Sequence, residues 1–199
     1  MKGLTLMYPY PYSRSPYPLR EYSEYPYSQP KIDDCFQPST DSWQSNESST
    51  LTFNDNGPNP FAVNIDQASR QNQAYRRALW TGKHLQVTLM SINPGEDIGL
   101  EIHPHLDQFI RIEEGQGVVM MGRQKDRLDF QQQVGRDFAF MVPAGTWHDL
   151  VNIGNIPIKL YSIYAPPQHP FGTVQQTKAE AGEAERYFVE SPTIRYNMD

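Results

Sequence analysis

The chain of 199 residues predicts an all-β fold, a sandwich or barrel of short strands. Two observations carry this. From Leu85 onward, apolar and polar residues alternate with a period of two in short runs, the pattern of strands with one face buried. Turn signals separate the runs at a spacing of roughly 8–12 residues, which is the rhythm of antiparallel sheets rather than of strands alternating with helices.

Residues 1 to about 30 hold seven of the twelve tyrosines and six prolines, in Tyr-Pro units. Proline fixes φ and removes donors, so this stretch favours extended polyproline II over helix or central strand. Its charges cancel through residue 40: Lys2, Arg14, Arg20 and Lys31 against Glu21, Glu24, Asp33 and Asp34. A Ser/Asn/Pro-rich linker continues to residue 60, and residues 1–55 are expected to be a disordered extension. Residues 56–175 are expected to form the domain, with patterning from Phe61, and 176–199 a C-terminal helix and tail.

Asp66 to Ala78 reads as a short helix with Asp66 as N-cap. Leu85, Val87 and Leu89 then alternate with Gln86 and Thr88 as a strand. Further strands are expected at Ile98–His103, Gln108–Ile112, Val118–Met121, Leu128–Val134, Phe138–Val142, Trp147–Ile153 and Ile158–Tyr164. The turns between them are marked by Asn93-Pro94-Gly95, Glu114-Gly115, Gly122, Gly135, Pro143-Ala144-Gly145 and Gly154-Asn155. Thr177-Lys178-Ala179-Glu180 carries a capping-box pattern and opens a helix to about Phe188. The residues from Ser191 read as a frayed end.

Composition narrows the function classes. A net charge of -6 without a basic run argues against nucleic acid, whose binding rests on cations that neutralise phosphates. No apolar run of roughly 18 residues is present, so no membrane-spanning helix is expected, and a cytoplasmic location is. The single Cys35 permits no internal disulfide. Tyrosines in the leader could stack or cross-link with assembly partners through residues 1–30, which would give a surface or coat location instead.

Three of the five histidines fall in two islands, Glu101-Ile102-His103-Pro104-His105-Leu106-Asp107-Gln108 and Pro143-Ala144-Gly145-Thr146-Trp147-His148-Asp149-Leu150-Val151-Asn152. Imidazole is the commonest metal ligand among side chains. On a continuous strand Glu101, His103 and His105 would share one face, and His148, Leu150 and Asn152 another. Gln108, Ile110 and Ile112 read as the inward face of the strand after the first island. Glu101 is a candidate general acid or base, with orientation of a ligand histidine as the alternative. His84 and His169 read as surface residues, Glu113-Glu114 as a solvated turn, and Met90, Met120, Met121 and Met141 as strand packing.

The islands resemble the two motifs of the cupin superfamily, the double-stranded β-helix or jelly-roll barrel. Gly135, Pro143-Ala144-Gly145, His148 and Asn152 match the second motif in full. His103, His105 and Gly115 match the first, with departures: Gln108 stands where the family has its acidic ligand, only two residues separate it from His105, and Gly95 and Gly99 flank the expected leading glycine. The resemblance covers roughly residues 80–165. It implies a divalent metal ion (iron, manganese or zinc) held by His103, His105, Gln108 and His148, a small-molecule substrate and a homodimer. An amide in place of a carboxylate leaves a divalent site at +2 rather than +1, which favours an anionic substrate, unless Asp107 or Glu101 supplies the acidic ligand. Cupins include dioxygenases, decarboxylases, epimerases and isomerases such as phosphomannose isomerase, whose mixed Gln, His and Glu ligands make sugar-phosphate isomerisation one reading. The other reading is a non-catalytic module, because the Tyr/Pro-rich leader resembles tyrosine-rich segments of spore-coat proteins.

Overall fold

The computed structural model describes residues 51–190; the Tyr/Pro-rich leader, Cys35 and the tail from Ser191 lie outside the described residues. The elements in chain order are α1 (Ile65–Gln71), β1 (Arg76–Thr81), β2 (Gln86–Ile92), β3 (Glu101–Ile102), β4 (Asp107–Glu114), β5 (Gln116–Gly122), β6 (Phe130–Gly135), β7 (Ala139–Val142), β8 (Trp147–Asn152), β9 (Ile158–Ala165), β10 (Val174–Gln175) and α2 (Lys178–Glu190). They form a six-stranded sheet, β10-β1-β2-β9-β4-β7, and a four-stranded sheet, β3-β8-β5-β6, with every pairing antiparallel. This is the jelly-roll architecture that the strand spacing predicts.

The two sheets face each other across one core, in which Ile92, Ile110, Ile112, Val119, Leu150, Ile158 and Leu160 are buried. Inward residues follow the period of two, but they change character along each strand. In β2 the inward set runs Gln86, Thr88, Met90, Ile92; in β4 Gln108, Ile110, Ile112; in β9 Tyr164, Ser162, Leu160, Ile158; in β8 His148, Leu150. Register aligns the polar members: Gln86 and Gln108 flank Tyr164, and Thr88 pairs with Ser162. The inner face is therefore apolar towards one end of the barrel and polar towards the other. A second cluster, Ala68, Leu79 and Leu89 with Leu51, Phe53, Val63 and Ile65, packs α1 and the segment before it on the outer face of β1 and β2. That covering buries Leu89 on the face opposite Gln86 and Thr88.

Several elements differ from expectation. The helix is shorter and begins earlier, with Asn64 as N-cap: its Oδ1 accepts the Gln67 N–H at 3.0 Å. Asp66 pairs instead with Arg70 one turn on, at 2.8 Å. Asn72 ends the helix by exchanging hydrogen bonds with Ala74 in both directions, and Arg76–Thr81 becomes a strand rather than helix. Leu51, Phe53 and Asp55, read as extension, pack against the domain; Asp55 accepts from Thr81 Oγ1 at 2.6 Å. Glu113 is buried rather than solvated: its Oε1 lies 3.4 Å from Arg111 Nη1, and the α1 residues Asp66 and Arg70 lie against it. Met141 is 62% exposed rather than packed. At α2, Thr177 Oγ1 accepts the Glu180 N–H, while Glu180 reaches back to the Gln176 N–H. No helix among the described residues is long and apolar enough to cross a membrane.

Candidate metal centre

The two islands meet where β3 pairs β8, with Glu101 opposite His148 and Ile102 opposite Trp147. The Pro143-Ala144-Gly145 turn fixes the approach. Gly145 has φ 75°, a left-handed conformation open to glycine, and its N–H donates to the His103 carbonyl at 2.8 Å. The turn of one island thus holds the backbone of the other. Asn152, the last residue of the second island, clamps the far end of β8: its amide donates to the Ile92 and Ile156 carbonyls, each at 2.9 Å, and its Oδ1 accepts from Gly154.

Glu101, His103 and His148 form one group. Their potential ligand atoms all lie within 4.8 Å of one another, and they could hold a metal ion. One carboxylate oxygen, Glu101 Oε1, is 3.4 Å from His103 Nε2 and 3.3 Å from His148 Nε2. The imidazole rings are 5.3 Å apart, centre to centre. Neither Nε2 makes a hydrogen bond of normal geometry, although both are buried. His148 Nδ1 lies 3.0 Å from the Thr146 carbonyl, which can only accept, so the neutral ring carries its proton there and turns the Nε2 lone pair to the carboxylate. A lone pair facing a carboxylate oxygen repels it unless a cation lies between them. That cation is either a proton or a metal, and the donor set of two nitrogens and an oxygen fits a divalent ion. Burial alone would push the Glu101 carboxyl up. His103 and His148 beside it, with the Arg76 guanidinium 3.8 Å from Oε2, instead hold it well below the usual carboxylate range.

The other expected ligands fare differently. His105 is exposed and outside the group. Strand β3 ends at Ile102, and Pro104 and His105 form a turn, so the alternation that would put both rings on one face stops short of them. Asp107 is also exposed; its Oδ1 accepts the Ala144 N–H at 2.9 Å, which braces the Pro143–Gly145 turn. Gln108 is buried on the inner face, its Nε2 donating to Ser162 Oγ at 2.9 Å and its Oε1 without a hydrogen-bond partner.

Comparison with known proteins agrees with this fold. The cupin-domain family model matches residues 88–164. The uncharacterized protein YrkC of Bacillus subtilis (strain 168) is 63% identical over 141 residues, 71% of this chain and 76% of that protein. The uncharacterized protein L612 of Acanthamoeba polyphaga mimivirus is 39% identical over 123 residues, 61% of this chain and 75% of that protein. The crystal structure of BH2720 from Bacillus halodurans superimposes with a TM-score of 0.65 at 65% identity, covering 65% of this chain and 98% of the other. The chain belongs to the cupin superfamily.

Three inward residues of this cupin escaped the sequence reading. Arg76 is buried although charged, and it sits on β1, a strand that the sequence disguises as helix. Tyr164 is buried at the end of β9, its ring edge-on to His103 at 5.7 Å. His169, expected at the surface, is also edge-on to Tyr164, at 5.1 Å, with its Nε2 buried. The signal available was the polar run Gln86, Thr88, Ser162 and Tyr164 at alternate strand positions, which marks a polar interior as readily as a solvent face. His84 is exposed, as expected.

Proposed function

We propose that this cupin holds a divalent metal ion between Glu101, His103 and His148, with the Gln108 amide oxygen as a neutral fourth donor, and acts on a small anionic substrate as a metal-dependent enzyme of dioxygenase or isomerase type. The observation that carries the reading is the convergence of two buried, unsatisfied Nε2 atoms on one carboxylate oxygen. Buried polar atoms without partners are expensive, and a fold keeps them together where a ligand satisfies them. When bound, the ion supplies Lewis acidity at its open positions. Two imidazoles and a carboxylate are also the donor composition of non-haem iron sites that bind dioxygen, which favours the dioxygenase form.

The chain's own residues do the rest. Thr146 fixes the His148 tautomer, and the Gly145 N–H fixes the backbone of His103. Glu101 stays ionised and lowers the charge of a divalent site to +1, so a ligand with a single negative charge neutralises it. Glu101 thereby takes the acidic role that the first motif lacks at Gln108, and it serves here as a ligand rather than as the free acid or base first considered.

Elemental analysis of the purified full chain tests this. Near-stoichiometric iron, manganese or zinc is expected, and the identity of the metal separates oxygen chemistry from isomerisation. Outer-shell substitutions already cost 10–100-fold in metal affinity, so His148→Ala and Glu101→Gln should each cost ~100-fold or more. Gln108→Ala should cost less, because a neutral amide contributes less than either. A folded wild-type chain that takes up no metal would end the proposal.

A further inference from the structure

Beyond the three ligand residues, the polar end of the barrel carries a second set of unsatisfied groups. Thr88 Oγ1, Tyr164 Oη and His169 Nε2 are all buried without a hydrogen-bond partner of normal geometry, the Thr88 and Ser162 side chains lying close enough to the Tyr164 hydroxyl to favour its ionised form. They come from three places: β2, the end of β9, and the segment Pro166-Pro167-Gln168-His169-Pro170 that follows it. That segment is held in place deliberately. Gln86, fully buried, donates from Nε2 to the His169 carbonyl at 2.8 Å and accepts the His169 N–H on Oε1 at 2.9 Å. A two-point grip on the backbone, between flanking prolines, fixes where the His169 ring points. The ring rests edge-on against Tyr164, and Tyr164 rests edge-on against His103. The second set is therefore one aromatic ring removed from the metal group.

We infer that Thr88, Tyr164 and His169 form the substrate-recognition half of the same site, and that they bind a hydroxyl group on a small hydroxy-carboxylate anion. The inference rests on the metal reading above and extends it to the substrate class. Its chemistry follows from charge. On the metal side lies a divalent ion reduced to +1 by Glu101, which favours a carboxylate. On the far side all three groups are neutral. Thr88 and Tyr164 present hydroxyls that are uncharged at physiological pH, and burial, with the nearby Arg76 charge, pushes the His169 imidazole down to about 3. Two hydroxyls and a neutral imidazole both donate and accept, and a ligand hydroxyl does the same. The one cation close to them, Arg76, is already engaged with Glu101 and Gln175, so a second carboxylate or a phosphate would have to compete with those partners for its charge.

Glycerate and lactate separate the two halves. Both are 2-hydroxy acids that can reach a metal in the same way, and glycerate adds one hydroxyl. The experiment loads the full chain with cobalt(II), follows uptake by its visible spectrum, and measures the Kd of racemic glycerate and racemic lactate by calorimetry. A pocket built to hydrogen-bond a hydroxyl penalises the analogue that lacks it, so glycerate should bind ~10-fold or more tightly than lactate. Tyr164→Phe and His169→Ala should each remove most of that ratio while leaving cobalt uptake unchanged. His169→Asn, which keeps a polar end, should retain part of it. Bound cobalt with neither acid bound, with no preference for glycerate, or with a preference that both variants keep, overturns the inference and leaves the metal reading standing. A wild-type chain that takes up no cobalt overturns both.

Discussion

Glu101 and Asp149 are both partly buried carboxyls beside the same histidine, yet their environments pull them in opposite directions. Glu101 faces two imidazoles and a guanidinium, and stays ionised. Asp149 follows His148 on β8 and points out of the barrel, where burial and the neighbouring Asp97 charge push it up to about 6 against an ordinary 3.8. Lys178 offsets this only in part, since it is engaged in an ion pair with Asp97. The sign of the consequence follows from linkage. The folded state holds this proton more tightly than the unfolded chain, so the contribution is most favourable below about pH 4 and is lost as pH rises through about 6. At neutral pH the ionised Asp149 costs the fold stability, and Asp149→Asn removes that cost. For the metal-free protein we expect a gain of roughly 1–2 kcal/mol at pH 7.5, discounted for partial solvent access, and almost none at pH 4. Urea titrations at the two pH values check this; an equal change at both would mean that Asp149 is not strained by ionisation.

At the scale of elements, Lys159 shows how a helix is tied to the sheet below it. It lies on the outer face of β9, buried under the end of α1, and its Nζ donates to the Asn72 carbonyl at 2.6 Å, to Ser91 Oγ at 2.9 Å and to Gln73 Oε1 at 3.3 Å. Burial pushes its amine down, and the hydrogen bonds keep it satisfied. Lys159→Met leaves the carbonyl and hydroxyl without their donor, and should cost about 2–3 kcal/mol in urea denaturation with metal content unchanged; a loss under about 0.5 kcal/mol would make the clamp dispensable. Strands with a clean period of two, such as β2, β4, β8 and β9, were legible in the sequence because each has one face in the core. Strand β1 was not, since Tyr75-Arg76-Arg77-Ala78-Leu79-Trp80 has helix-compatible residues, and only the Asn72 turn, a tertiary decision, ends the helix before it. The candidate site was half legible for the same reason. His148 follows from a turn motif with its own local geometry, whereas the first island depends on where a two-residue strand stops, and His-Pro-His does not state that. Arg76, Tyr164 and His169 reach the interior from strands and a loop far apart in sequence, so no local pattern announces them.

At the scale of the molecule, the polar end of the barrel is closed by segments outside the strands that line it. Asp55 is the link. Its carboxylate accepts from the Gly57 N–H at 3.1 Å, from Thr81 Oγ1 at 2.6 Å and from the Gly172 N–H at 2.9 Å, so it fastens the start of the described chain to β1 and to the segment that carries His169. Phe53 lies under the Arg77 guanidinium at 5.2 Å, and Leu51 donates its N–H to the Gln71 side chain while packing on the outer cluster. Composition had placed these residues in a polar extension, where isolated apolar side chains carry no periodicity to betray a packed segment. Two truncations therefore should differ. A chain beginning at Asn56 loses the Phe53 and Leu51 packing and leaves Thr81 and Gly172 without their acceptor, and should be less stable than a chain beginning at Ser48 by about 2–4 kcal/mol. The longer chain should also protect the Gly172 amide from hydrogen exchange, and the shorter one should not. Because the Glu101, His103 and His148 backbones are held by β3, β8 and the Gly145 turn, metal uptake should survive both cuts, while the glycerate-over-lactate ratio, which depends on His169, should fall only in the shorter chain. Equal stability of the two chains would return residues 48–55 to the status of a linker. Loss of metal uptake in the shorter chain alone would mean that the metal group itself depends on the same fastening.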